Sequence, residues 1–267
     1  MEVVRKMGKI IRPKIFLIGE SKVNIDGLKG LMNHLGAPDW KSDAPSDIEL
    51  LCEVFGRACY KSFGTNLNPN ITRVRKTSKS YLTNIIEKGD GSILEHGVAN
   101  FFISDVSRAF THELVRHRVG TAISQESLRF VRLTDINWYA PVSIQESPEA
   151  MTIFTKTMED LSRIQKELAT LFELDDQPSF AVKKEITSAM RRIAPIGLAT
   201  NIGWSCNMRI LRNVIEQRTA PWAEEEIRLV FGEIGRIAVE RWPNLFGDYR
   251  VEIQDGLPVY TTDNRKV

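Results

Sequence analysis

GVANFFISDVSRAFTHELVRHRVG, residues 97–120, is the stretch on which the fold class turns. Its first part, GVANFFIS, is apolar and aromatic and reads as a strand. Ser104 or Asp105 is placed to cap a helix beginning at Val106. Upstream, IELLCEVFGRACY carries apolar residues at helical spacing after a cap at Ser46 or Asp47, and a helix near SKSYLTNIIEKG stops at Gly89. Earlier still, IIRPKIFLIG supplies a strand with Pro13 at its start or on an edge, and IDGLKGLMNHLG a short helix. Downstream, a polar and aromatic segment closes at Pro141, and long helices are expected at 148–172, 179–193, 207–218 and 222–241. Strands in one place and helices in blocks predict an α+β fold, helices packed on a small, mainly antiparallel sheet. Residues 1–45 are expected to be an N-terminal extension packed on a single domain formed by 46–267.

The chain has 267 residues, 42% apolar and 26% charged, with 36 Lys+Arg against 34 Asp+Glu and a net charge of +2. That balance excludes a histone-like polycation and an acidic tail, and leaves room for a local cationic pocket. No stretch approaches the roughly 18–20 apolar residues that cross a bilayer. Arg5, Lys6, Lys9, Arg12 and Lys14 interrupt the amino terminus, which therefore lacks a signal-peptide core. A cytoplasmic protein without a membrane partner is expected. Cys52 and Cys59 fall on one helix face and Cys206 is distant, so buried, reduced thiols are expected.

Chemistry concentrates in ELVRHRVGTAISQESLRFVR, residues 113–132, where Arg116, His117, Arg118, Arg129 and Arg132 are interleaved with Ser124, Gln125, Glu126 and Ser127. Arginine keeps its charge and presents a planar fork matched to phosphate and carboxylate oxygens. Taken as a helix, the segment puts Glu113 and His117 four apart within the stripe of Val106, Phe110 and Leu114. Two polar groups aimed at the core need partners, which makes the window a binding wall; a solvated helix face is the bland alternative. HELVRH is not a zinc motif, because His112 and His117 are five apart, about 140° of helix rotation. No metal site is expected.

In NMRILRNVIEQRTAPWAEEEIR, residues 207–228, Ile210, Leu211, Val214 and Ile215 form an apolar stripe. Arg218 projects near its centre, just before Pro221, and Arg212 points away as a surface residue. An inward arginine needs an anionic or strongly polar partner. That partner is either Glu224, Glu225 or Glu226 in an ion pair, or a ligand. In SAMRRIAPIGLATNIGWSCN, residues 188–207, Arg191 lies opposite the stripe of Val182, Ile186, Ala189 and Ile193, the position of a solvated arginine.

In this order the three segments resemble the flavin-dependent thymidylate synthases. Their signature is Arg-His-Arg, seven or eight arbitrary residues, then Ser-x-Arg. Here Arg116-His117-Arg118 is followed by the eight residues VGTAISQE and then Ser127-Leu128-Arg129. Downstream come Arg191 four before Pro195, Asn207-x-Arg209, Arg218, Ala223 and Glu226-Ile227-Arg228; upstream, LEHGVANF surrounds His96. The match spans roughly residues 90–230.

The resemblance implies methylation of dUMP to dTMP, with methylenetetrahydrofolate as carbon donor and FAD carrying reducing equivalents from NADPH. It assigns flavin binding to His96, Val98, Arg116, His117, Arg118, Gln125, Asn207, Met208, Arg209 and Asn213. It assigns the nucleotide to Glu113, Leu114, Val115 and Arg116, to Gln125, Glu126, Ser127, Leu128 and Arg129, and to Arg191. Arg218 corresponds to the arginine that polarises the uracil ring. Family members are homotetramers with sites shared between subunits. Four positions depart from the common pattern: Glu113 and Glu224 stand where glutamine is common, Asn213 replaces a histidine of some members, and Ala194 replaces leucine. No GxGxxG fingerprint follows a strand, and nothing around Cys52, Cys59 or Cys206 marks the activated thiol of the classical synthases. Ser127 reads as a binding residue, since a serine nucleophile needs a neighbouring base. The competing readings are a non-catalytic nucleotide or nucleic-acid binding module and a helical scaffold with structural ion pairs. The net charge of +2 and the few aromatics in the window speak against a nucleic-acid partner.

Overall fold

Side-chain caps start most of the helices. In the computed structural model, which describes residues 9–65, 67, 69–71, 73–131, 133, 136–265 and 267, Asn24 caps α1 (Ile25–His34) and Ser46 caps α2 (Asp47–Tyr60). Thr77 caps α3 (Ser78–Lys88), which ends on Gly89 in the left-handed conformation. Each cap oxygen takes an orphan backbone N–H of the first turn. The expected cap at Ser104 or Asp105 is not used. Strand β2 (Val98–Ser107) runs on through both residues, and Ser107 caps the short helix α4 (Arg108–Leu114). Helix α4 stops at Leu114, so Glu113 and His117 do not share a helix face. Gly120, at φ +66°, turns the chain into β3 (Thr121–Gln125). There follow α5 (Val142–Gln145), α6 (Pro148–Leu171), α7 (Phe180–Met190), β4 (Ala199–Asn207), α8 (Met208–Thr219), α9 (Glu225–Arg241) and α10 (Pro243–Phe246).

Strand β1 (Lys14–Glu20) opens a four-stranded sheet in the order β1-β2-β4-β3, so Pro13 does precede an edge strand. Ser104 Oγ donates to Asn201 Oδ1 and Ser205 Oγ to Asn100 Oδ1, a pairing that runs β2 and β4 antiparallel. Strand β4 alternates strictly, with Thr200, Ile202, Trp204 and Cys206 buried. A separate antiparallel hairpin joins β5 (Arg250–Gln254) to β6 (Leu257–Thr261) through Asp255 and Gly256 at φ 55° and 75°. Helices with a small antiparallel sheet make the fold α+β.

The chain divides into two compact units. The first holds Phe102–Arg116, Ile123–Gly203 and the described residues up to Lys14. Its core gathers Leu128, Ile136, Trp138, Met158 and Leu198, and Gln165 of α6 donates to the Met190 carbonyl of α7. Ala189 and Ile193, expected on the core stripe of α7, are exposed; the helix ends at Met190 and a 3-10 turn takes Ile193 off its register.

The second unit holds Ile15–Phe101, His117–Ala122 and Trp204–Val267. Helix α1 packs Met32 on Val54 of α2 with Phe63 and Ala37. Trp204 lies against Phe101 and Phe231. Of the three thiols Cys52 and Cys206 are buried, but Cys59 in the last turn of α2 is exposed, against expectation. Arg212 also corrects the sequence reading: it is 0% exposed and makes two bonds to Asp248, at 2.7 and 2.8 Å. The segment around α10 and Tyr249 covers that face of α8, and the Tyr249 ring lies 4.9 Å from the guanidinium.

Candidate active site

Helix α8 positions the second unit's candidates. Asn207 ends β4 and caps α8, its Oδ1 accepting from the Ile210 N–H at 2.9 Å. Its own N–H donates to the Gly120 carbonyl at 3.1 Å, and a Cβ at Gly120 would lie 2.4 Å from Asn207 Nδ2. In the first turn, Arg209 pairs with Glu95 at 2.6 Å, both about half exposed, so the pair is weak and Arg209 can exchange it for a ligand. Gly91 lets the backbone approach Arg209, whose Nε would be 2.7 Å from a Cβ there. Asn213, two turns from the cap, accepts from Gln217 at 3.1 Å. Asn207, Arg209 and Asn213, with Glu95, Val119, Ile210 and Arg265, line an open cavity of about 260 Å³.

Arg218 closes the same helix, half-buried. Its Nε–H donates to His117 Nε2 at 2.7 Å. That bond joins the Arg-His-Arg motif to the downstream arginine, two groups 101 positions apart. It also sets the imidazole: Nε2 accepts, so the ring is neutral with its proton on Nδ1. Burial and the Arg218 charge hold the His117 pKa down to about 4.

His96 is exposed and stacks on Phe55, centroids 4.0 Å apart. Val98 is half-buried, with its N–H and carbonyl both bonded to Ser21. Arg118 is exposed, and its carbonyl accepts from the Thr121 hydroxyl. Met208 is wholly buried, with Ile48 and Cys52 crowding the same glycine, Gly97. Its side chain belongs to the core, and only its backbone remains for a ligand.

The first unit carries the other set. Gln125 Nε2 donates to Thr111 Oγ1 at 3.0 Å, which fixes its amide. Glu126 turns its carboxylate to Asn201, accepting from the backbone and side-chain nitrogens at 3.3 and 3.2 Å. Ser127 Oγ accepts from the Arg129 N–H at 3.3 Å, forming a tight turn that projects Arg129 into solvent. Arg116 and Val115 are exposed, Glu113 is half-buried, and Leu114 and Leu128 are core residues. Arg191 is half-buried at the end of α7, not fully solvated. Arg132, counted in the motif window, lies outside the described residues.

Arg108 was missed from sequence. Its Nη1 donates to the Glu126 carbonyl at 3.4 Å. Burial lowers its pKa and the Arg191 charge adds to that, with Glu126 opposing. Two half-buried guanidiniums that feel each other attract an anion. As the first residue after the Ser107 cap, Arg108 carried no signal beyond its type.

Burial pushes the Cys52 thiol up to about 12 and Cys206 well above its ordinary value, so neither is a thiolate near neutrality. Among the described residues no helix is long and apolar enough to cross a membrane.

A family model described as thymidylate synthase complementing protein matches residues 43–244, a span that contains every candidate above. The chain is 35% identical over 227 residues to the flavin-dependent thymidylate synthase of Mycolicibacterium vanbaalenii, covering 84% of this chain and 88% of that one. It is 35% identical over 225 residues to the enzyme of that name from Mycobacteroides abscessus, covering 83% and 87%. For the Corynebacterium glutamicum enzyme the figures are 34% over 228 residues, 84% and 88%. Motif order, the linked His117 and Arg218, and likeness over most of the chain place this protein in the flavin-dependent thymidylate synthase family.

Proposed function

We propose that the protein methylates dUMP to dTMP in the cytoplasm, with methylenetetrahydrofolate as carbon donor, NADPH as reductant and FAD as cofactor. The observation that carries this reading is the hydrogen bond from Arg218 to a neutral His117. The neutral imidazole acts as a hydrogen-bond acceptor that holds the guanidinium in place. Arg218 thus stays a permanent cation that can stabilise negative charge developing on the uracil ring, with N3 ionised.

The second unit suits a flavin. Its cavity of about 260 Å³ has room for part of the dinucleotide, and two glycines, Gly91 and Gly120, clear the approach to Arg209 and Asn207. Asn207, Arg209 and Asn213 present amide and guanidinium donors for pyrophosphate or ring-carbonyl oxygens. His96, Val98 and Arg118, with the backbone at Met208, are the further flavin residues of this unit; Arg116 and Gln125 of the first unit are separately proposed as flavin contacts. Bound FAD would supply the hydride chemistry that no side chain provides. The nucleotide falls to Glu113, the backbone of Leu114 and Val115, Arg116, Gln125, Glu126, Ser127, the backbone of Leu128, Arg129 and Arg191. Arg108 joins Arg191 in attracting the phosphate. Assembly as a homotetramer with shared sites belongs to the same proposal.

The test is to titrate dUMP into flavin-loaded wild type, Arg218→Ala and Arg129→Ala. Both variants should keep the flavin absorption band and lose nucleotide affinity or NADPH-dependent turnover by at least tenfold. Wild-type turnover in both would end this assignment.

A further inference from the structure

Away from the cavity on α8, the second unit holds a smaller pocket, lined by the C-terminal half of α2, by Ile71, Arg73 and Arg75, and by α3. Its volume is about 60 Å³. That is room for a small ion of a few heavy atoms. Among the described residues its walls carry four cations, Arg57, Arg73, Arg75 and Lys88, and no carboxylate.

Two of the cations are committed to the fold. Arg57 bonds Glu53 and the carbonyls of Ser62 and Arg75, and Arg75 bonds Asn84. Arg73 and Lys88 have no hydrogen-bond or ion-pair partner among the described residues. The pocket also holds two buried hydroxyls. Ser62 Oγ and Tyr81 Oη belong to residues only 6% and 5% exposed, and neither has a hydrogen-bond partner. The Ser62 hydroxyl lies close enough to the Tyr81 phenol to oppose, in part, the rise that burial causes. Burial holds that phenol protonated, so it is a donor. Buried polar groups are nearly always paired. Two buried hydroxyls without a hydrogen-bond partner among the described residues, in a pocket rimmed by the exposed cations Arg73 and Lys88, suit an acceptor-rich anion.

We propose that this pocket binds a phosphate dianion, either free orthophosphate or the terminal phosphoryl group of a phosphorylated metabolite. The inference is independent of the flavin and dUMP assignments, none of whose residues lines the pocket.

The experiment is calorimetric titration of the full chain with orthophosphate and, separately, with ribose 5-phosphate, each against sodium chloride at equal ionic strength. Wild type, Arg73→Ala and Tyr81→Phe are compared, and the circular dichroism spectrum and thermal midpoint check that each is folded. Saturable binding of either probe to wild type, weakened at least tenfold in both variants, is the expected result. Binding of orthophosphate assigns the site to the free ion, and binding of ribose 5-phosphate alone assigns it to a phosphomonoester. No saturable binding by wild type overturns the proposal. So does binding that folded Arg73→Ala and Tyr81→Phe retain undiminished.

Discussion

Replacing Gly120 by Ala should damage the protein in two separable ways. At φ +66° an L side chain is disfavoured by roughly 1–2 kcal/mol. The new Cβ would also lie 2.4 Å from Asn207 Nδ2 and 3.0 Å from its Cγ, closer than real contacts allow. The backbone bond from Asn207 to Gly120 holds the two residues together, so the Asn207 side chain must swing away. Its bond to the Ile210 N–H is then lost, and removing a helix cap costs about 1 kcal/mol. Together roughly 2–3 kcal/mol of stability should disappear. Gly256→Ala is the control: its φ is +75° and its Cβ meets nothing within 4 Å, so only the conformational part applies. Urea unfolding followed by circular dichroism measures both, and FAD titration should show weaker binding for Gly120→Ala alone. Equal destabilisation of the two variants, with equal flavin affinity, would refute the argument that Gly120 exists to seat Asn207.

Two other outcomes follow from buried charge. Arg212→Met removes the buried partner of Asp248, which among the described residues keeps only the Thr262 hydroxyl and the Asn264 amide as donors, and breaking the pair should cost about 2–4 kcal/mol, below the roughly 3–5 kcal/mol of a fully stranded charge; a urea-measured loss below about 1 kcal/mol would contradict the burial described. His117 makes stability depend on pH. Its folded pKa of about 4 lies below the ordinary 6.5, so the neutral ring's contribution is complete above 6.5 and is lost as pH falls through 4. The full difference is about 3 kcal/mol, and half-exposure reduces it to roughly 1–2 kcal/mol. His117→Gln should flatten the stability profile over that interval, and identical profiles would show that His117 is not held neutral.

Helices were legible because caps and apolar spacing are local: Ser46, Thr77, Ser147 and Ser179 all stand where a helix starts. Strand β4 was also written in the chain, since ATNIGWSCN alternates inward Thr200, Ile202, Trp204 and Cys206 with small or polar neighbours. Asp255-Gly256 between VEIQ and LPVY is a hairpin signal of the strongest kind. Neither is among the elements expected above. Arg212 is different in kind. Its face of α8 is covered by residues 33–37 positions later, and helical periodicity says nothing about a cover that distant. The signature residues were readable from spacing, but the contact of His117 with Arg218 was not, because α4 ends at Leu114 and the motif leaves the helix.

The uneven placement of the sulfur atoms gives this protein a ready-made handle. Cys52 and Cys206 are sealed in the interior, whereas Cys59 faces solvent at the end of α2. A maleimide dye should therefore attach at one position without any engineered change. Its neighbour Tyr60 lines the small cationic pocket, so a fluorophore there would report an arriving anion through its emission.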